Sequence, residues 1–360
     1  MRKKHFLFAS VLALLCGSSA LHAQDFKLTS SGYFKNQGVD VMAFDDIYPE
    51  GHQGGVCIIM NGHRVATNGD IRLEATPGQW QPVPKQLDRK LGDNSITATL
   101  CYPDSSRHLT GFNPMIYPDL HLIYTVNVES KGKNIEVTVD LDRPIPQEFI
   151  GKVGFNLEFF PGSLFGKPWI MDGQSGIFPQ QPNSPLMTTQ PNYLHTGNYH
   201  DGKQSLADMD KLIGKGYSPI VADDIISEPY AKGRKFTSRP DDPYNKVTIE
   251  SLSGDLQLFD GRMNHNNGWF VLRSNIKPGV TKGAVKWIIT PNVVADWMYQ
   301  PVIQTSQIGY HPTQDKEAVI EMDIRDNRKE TAQIIRIDAD GEKVVKNVTP
   351  ANWGLSLIHI

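Results

Sequence analysis

Along most of this chain, apolar and polar residues alternate in short runs that end at Gly, Asn, Asp or Lys. Period-two alternation is the mark of a half-buried strand. Leu120 to Ser130 shows it, and so does Ile135 to Leu141 beyond the turn Lys131-Gly132-Lys133-Asn134. Lys152 to Phe160 places Val153, Phe155, Leu157 and Phe159 on one face. Val56 to Met60 and His63 to Ala66 flank Asn61-Gly62, a strong hairpin signal. Further strands are expected at Ser95–Cys101, at Val247–Glu250 paired with Leu256–Phe259 around Ser253-Gly254-Asp255, at Trp269–Arg273 and at Gly283–Ile289. Helical periodicity is scarce, with Ser205–Leu212 the best short candidate. The pattern predicts an all-β protein in which residues 24–298 form one large antiparallel β-sandwich module. No fixed-period repeat points to a propeller or solenoid.

Pro161 to Lys203 breaks this texture, being rich in Gly, Pro, Asn and Gln with aromatics interleaved. A loop of that length in a compact domain is functional or disordered. Trp169, Tyr193, Tyr199 and His200 are the candidate carbohydrate-binding residues, because aromatics among amides can stack on sugar rings and bond hydroxyls. The competing reading has Phe165, Trp169 and Phe178 pinning the loop to the sheet.

A boundary is expected near residue 300. Beyond it Val302–Gly309, Glu317–Ile324, Ala332–Ile337 and Glu342–Lys346 read as strands, the last two joined by Asp338-Ala339-Asp340-Gly341. Four strands open an immunoglobulin-like sandwich but do not complete one, which needs about seven strands. The run Gln307-Ile308-Gly309-Tyr310-His311-Pro312, followed by Lys316-Glu317-Ala318-Val319, resembles the start of the cellulase N-terminal immunoglobulin-like domain. That domain typically precedes the catalytic barrel of family 9 glycoside hydrolases. The resemblance covers about residues 300 to 350. It implies that residues 299–354 are the N-terminal part of such a domain, and that a C-terminal catalytic module belongs to the full-length enzyme. The family's Asp-Ala-Gly-Asp base motif does not occur here, so no catalytic residue carries over. Residues 355–360, Leu-Ser-Leu-Ile-His-Ile, break the preceding texture and read as a non-native tail.

The N-terminus adds an address. Arg2, Lys3 and Lys4 precede the apolar run Phe6–Cys16 and a small-residue stretch ending at Ala23, so residues 1–23 are expected to be a signal peptide. The run is too short to span a bilayer, which takes about 20 apolar residues. The chain is therefore expected to be exported to the periplasm, cell surface or medium, without a membrane span. Without Arg2, Lys3 and Lys4, the 36 basic residues fall to 33 against 39 acidic ones, net −6, with no basic patch to suggest nucleic acid. Of three cysteines, Cys57 and Cys101 remain in the mature chain, either as a disulfide or as two separate buried thiols. Asp172, His195, His200 and Asp201 match no compact metal motif, and neither metal nor other cofactor is expected. A carboxylate pair such as Glu158 with Asp172 could serve glycoside chemistry.

Three functions fit. The first is the non-catalytic front of a polysaccharide-degrading hydrolase resembling family 9. The second is a stand-alone protein that binds a polysaccharide or oligosaccharide. The third is a sugar epimerase or lyase built on a large sandwich, which would need a clustered His, Tyr or carboxylate base.

Overall fold

The computed structural model describes residues 25–45, 54–74, 77, 84–102, 120–182, 228–263, 268–328 and 331–354. Residues 1–23, expected to be a signal peptide, Ser205–Leu212 and residues 355–360 lie outside the described residues. Among those described there is no α-helix, and the protein is built from antiparallel strands, numbered here in chain order.

The first sheet holds β1 (Lys27–Leu28), β2 (Phe34–Asn36), β3 (Val39–Ala43), β4 (Val56–Met60), β5 (His63–Leu73), β10 (Val153–Phe159), β13 (Ala231–Gly233), β16 (Leu256–Asp260) and β17 (Phe270–Asn275). Its spatial order is β1-β2-β3-β4-β5-β10-β17-β16-β13. The second holds β6 (Lys85–Leu91), β7 (Ser95–Tyr102), β8 (Leu122–Lys131), β9 (Asn134–Leu141), β11 (Pro168–Met171), β12 (Gln174–Ile177), β14 (Lys235–Ser238), β15 (Val247–Ser251) and β18 (Val285–Pro291). Its order is β12-β11-β14-β15-β18-β9-β8-β7-β6.

The sheets face each other through the apolar positions of each alternation. In β7 and β9 every second residue is buried, as the sequence pattern requires. Phe155 of the first sheet meets Trp287 of the second edge-on at 5.0 Å, and Phe159 meets Phe236 at 5.7 Å. Trp287 satisfies its indole N–H within this core by donating to Ser274 Oγ at 3.1 Å. Asn61-Gly62 forms the expected hairpin, both residues at positive φ (53° and 81°), which is the primed turn such sequences favour.

Three expectations change. The strands around Ser253-Gly254-Asp255 are not a pair: β15 belongs to the second sheet and β16 to the first, so this turn carries the chain across the sandwich. The Gly- and Pro-rich stretch after Pro161 is not all loop, because β11 and β12 form a hairpin at the second sheet's edge. Cys57 and Cys101 are not joined. Cys57 lies in β4, where its Sγ contacts Gly54 O at 3.3 Å and Thr67 Oγ1 at 3.0 Å. Cys101 lies in the other sheet, at one of the half-exposed positions of β7 that alternate with its core residues, so their side chains do not meet.

After β18 the chain runs past two turns of the sandwich, with Trp297 against Gly38 and Tyr299 against Gly62. It then forms two separate hairpins, β19 (Val302–Gln304) with β20 (Val319–Glu321), and β21 (Ala332–Asp338) with β22 (Gly341–Val348). Their apolar residues are largely exposed, Ile308 and Ile337 among them. Among the described residues, no helix is long and apolar enough to cross a membrane.

Candidate functional site

β10 is buried on both faces, which is unusual for a strand with polar alternate residues. Val153, Phe155, Leu157 and Phe159 point into the core. Residues directly opposite across a ladder share a face, so the register reads out the other side. Arg72, Gly154 and Asn275 form one row. Asp70, Asn156, Arg273 and Gln257 form the next, and Thr67, Glu158, Val271 and Phe259 a third. Asp70, Arg72, Asn156, Glu158 and Arg273 are all buried, as is Glu74 at the end of β5. Burying that much charge is costly unless the groups satisfy one another.

Arg273 holds one half of the cluster. Its Nε donates to Asn275 Oδ1 at 2.7 Å, Nη1 to Asn156 Oδ1 at 3.0 Å, and Nη2 to the Glu74 carbonyl at 2.9 Å. Nη1 also lies 3.4 Å from Glu74 Oε1, which accepts from Asn156 Nδ2 at 2.6 Å. Burial pushes the Glu74 carboxyl up to about 7, although Arg273 and Arg72 pull it down. Gly154 makes room for this clamp, because a Cβ there would sit 2.8 Å from Arg273 Nε and 2.8 Å from the Ser274 carbonyl. Gly154→Ala should therefore displace the guanidinium and destabilise the protein by about 1–3 kcal/mol, measurable as a lowered urea midpoint with an unchanged m-value.

A bulge in β5 builds the other half. Gly55 and Gly69 form an isolated backbone bridge, and a Cβ on Gly69 would lie 2.6 Å from Val56 Cβ. This close approach puts Asn68 in the left-handed region at φ 55°, where asparagine is tolerated. From there Asn68 Nδ2 donates to Glu158 Oε2 at 2.5 Å. Asp70 accepts from the Ile71 amide at 2.7 Å and from Tyr124 Oη at 3.0 Å. Burial pushes its carboxyl up to about 6. Tyr102 and Tyr124, stacked at 6.0 Å, come from the second sheet, and burial raises both phenols.

Two polar atoms of this cluster stay unmatched. Arg72 Nε and Asn68 Oδ1 are buried and have no hydrogen-bond partner among the described residues. Arg72 feels the fields of Glu158, Asp70 and Glu74 and of Tyr102, which hold its charge. The cluster thus holds an unmatched donor on Arg72 and an unmatched acceptor on Asn68, the residue whose amide holds Glu158.

Of the aromatic-loop candidates only Trp169 falls among the described residues. Tyr193, Tyr199 and His200 lie outside the described residues, as do His195 and Asp201. Trp169 is buried in the core, its ring lying over Gly176 where a Cβ would be 2.5 Å from it, so it offers no free face to a sugar. Phe178 is buried too, 4.7 Å from Phe270, and both residues pin the chain to the sandwich. Asp172 does not join Glu158: it follows β11 in the second sheet, and its oxygens accept from the Arg234 and Lys235 amides at 2.8 and 3.0 Å. Among the described residues no group of three or more His, Cys, Asp or Glu is placed to hold a metal.

No protein-family model and no curated protein matches the chain. Among solved structures, Slr1438 protein from Synechocystis sp. PCC 6803 is 9% identical, with TM-score 0.33 over 81% of this chain and 100% of that one. A galactose mutarotase-like protein from Lactobacillus casei is 11% identical, with TM-score 0.33 over 72% and 98%. The heparan sulfate lyase HepC from Pedobacter heparinus is 10% identical, with TM-score 0.27 over 88% of this chain and 41% of that one. The last two are carbohydrate-related by name, and none of the three is named as a family 9 hydrolase. Likeness this weak decides nothing for this chain.

Proposed function

We propose that this protein acts on a carbohydrate at the buried polar face of its first sheet, as a sugar epimerase or lyase does. The observation that supports this is the pair of unmatched polar atoms in that cluster. Arg72 Nε is a donor without an acceptor and Asn68 Oδ1 an acceptor without a donor. Leaving such groups unmade costs about 1–3 kcal/mol each. A sugar hydroxyl both donates and accepts, so neighbouring hydroxyls of one ring complete the pair and bring a ring carbon to Glu158. Glu158 is then the general base, held by Asn68. Glu74 and Arg273 position the face rather than touch the ligand, since Arg273 is occupied by Glu74, Asn156 and Asn275.

Purified protein should bind members of a monosaccharide and oligosaccharide panel by calorimetry, and by NMR should either speed anomer interconversion or, on a uronate, remove the proton next to the carboxyl group with loss of the neighbouring C4 substituent. Glu158→Gln should slow that turnover about a hundredfold or more, as loss of a general base does. Absence of binding across the panel would overturn the reading.

A second reading keeps the resemblance in residues 299–354. It is favoured by the two hairpins, which form sheets of their own outside the sandwich. On that reading the sandwich is the non-catalytic front of a longer exported polysaccharide hydrolase, and the sugar face delivers glycan to a catalytic module rather than converting it.

A further inference from the structure

We infer that the ligand of this face is an acidic sugar, a uronate or a sugar sulfate, whose anionic group is taken in a two-point ion pair by Arg72. The inference rests on the carbohydrate reading and sharpens it.

The observation is a contrast between two arginines of one site. Arg72 and Arg273 are the buried arginines among the described residues, 6% and 1% exposed. Arg273 uses all three of its nitrogens, with Glu74 3.4 Å away. Arg72 makes no ion pair within 4 Å and no hydrogen bond among the described residues, and its Nε is unmatched. A guanidinium presents five N–H donors in a rigid fork. Nearby carboxylates hold the Arg72 charge by their field without a hydrogen bond to it among the described residues. One hydroxyl satisfies one arm of that fork. A carboxylate or sulfate satisfies two parallel arms and makes charge-assisted bonds about twice as strong as neutral ones.

The charges around the fork set when an anion is welcome. Asp70 and Arg72 come from β5 and Glu74 from the residue after it, Glu158 from β10, Arg273 from β17, and Tyr102 and Tyr124 face them from β7 and β8. The two phenols are raised and stay neutral. With protons on Asp70 and Glu74, the two guanidinium groups face two fewer negative charges than with both ionised. Asp70 titrates at about 6 and Glu74 at about 7, so an entering anion favours their protonated forms. Acid binding should therefore weaken as pH rises from 5.5 to 8, while a neutral sugar loses less.

The test is calorimetry on the mature chain with matched ligands: galacturonate against galactose, glucuronate against glucose, and galactose 6-sulfate as the arm that separates sulfate from carboxylate. The expected result is that one acidic series binds about tenfold more tightly than its neutral partner at pH 5.5, one charge-assisted bond's worth. The ratio should shrink towards one at pH 8. Arg72→Gln should bring it to about one at both pH values, and Arg72→Lys should restore part of it. Equal affinity for acidic and neutral sugars in the wild-type protein would overturn the inference while leaving the carbohydrate reading in place. Binding of neither series would remove both. Should Arg72→Gln fail to fold, the wild-type ratio and its pH dependence still decide.

Discussion

Replacing Arg273 by methionine should destabilise the protein by about 3–5 kcal/mol at pH 8, the usual cost of stranding a buried charge. Methionine fills much of the same volume, so the loss is electrostatic and not a cavity effect. What remains is the Glu74 carboxylate, buried, with Asn156 as its side-chain donor. Asn156 Oδ1 and Asn275 Oδ1 each lose the guanidinium as well. The charge can escape by taking a proton, and Glu74 already sits at about 7 with Arg273 present. Without that arginine it moves higher. The variant should therefore be much closer to wild type at pH 5 than at pH 8. Urea denaturation at both values reads the difference, and adding Glu74→Gln should recover most of the pH 8 loss. An equal loss at both pH values would mean that Arg273 serves packing rather than charge.

The fold was far more legible than the site, and the reason is physical. β8, β9 and β10 bury one side chain in two against the opposite sheet, so alternation alone marks them. Asn61-Gly62 marks its hairpin because few other residues adopt positive φ twice in succession. β5 is the instructive failure. Sequence periodicity carries it only from His63 to Ala66, but the strand continues through Leu73. Thr67-Asn68-Gly69-Asp70 has the composition of a turn, and the structure uses it as a bulge inside a strand, locked by the approach of Gly55 to Gly69. Bulges cluster next to functional sites for this reason: they re-aim a side chain, here Asn68 towards Glu158.

β10 shows how near the sequence came. The placement of Val153, Phe155, Leu157 and Phe159 on one face is correct. The intervening Gly154, Asn156 and Glu158 then belong to the other face, which a sequence leaves to water by default. Nothing in periodicity says that this face is buried too, or that Glu74, Arg72 and Arg273 converge on it from segments nearly two hundred residues apart in sequence, as the contact between Arg273 and Glu74 shows. The usable signal was an Arg, Asn or Glu at every second position of neighbouring strands. The aromatic loop drew attention instead, and Trp169, its best candidate within the described residues, serves the core.

The same buried carboxylates should give the protein an inverted pH–stability profile. Glu74 moves from 4.5 to about 7 and Asp70 from 3.8 to about 6, both chiefly through burial. A raised carboxyl binds its proton more tightly in the folded than in the unfolded state. Between the unfolded and folded values the folded protein thus holds the extra proton, and stability falls as pH rises. The window runs from about 4 to about 7, Asp70 acting in its lower part and Glu74 in its upper. At 1.36 kcal/mol per pH unit, each group costs on the order of 3 kcal/mol once ionised. Asp242, Asp323 and Asp326 have the opposite sign. Hydrogen bonds and nearby arginines hold their carboxyls low, so what they contribute is lost only as pH falls below the ordinary carboxylate range. Urea midpoints measured from pH 4.5 to 8 should accordingly decline by the equivalent of a few kcal/mol. Asp70→Asn should flatten the lower part of the decline and Glu74→Gln the upper. A midpoint that holds level or climbs from pH 5 to 7.5 would mean these carboxylates are ionised in the folded protein at ordinary cost, and the field in which Arg72 awaits its anion would have to be redrawn with Asp70 and Glu74 charged throughout that range.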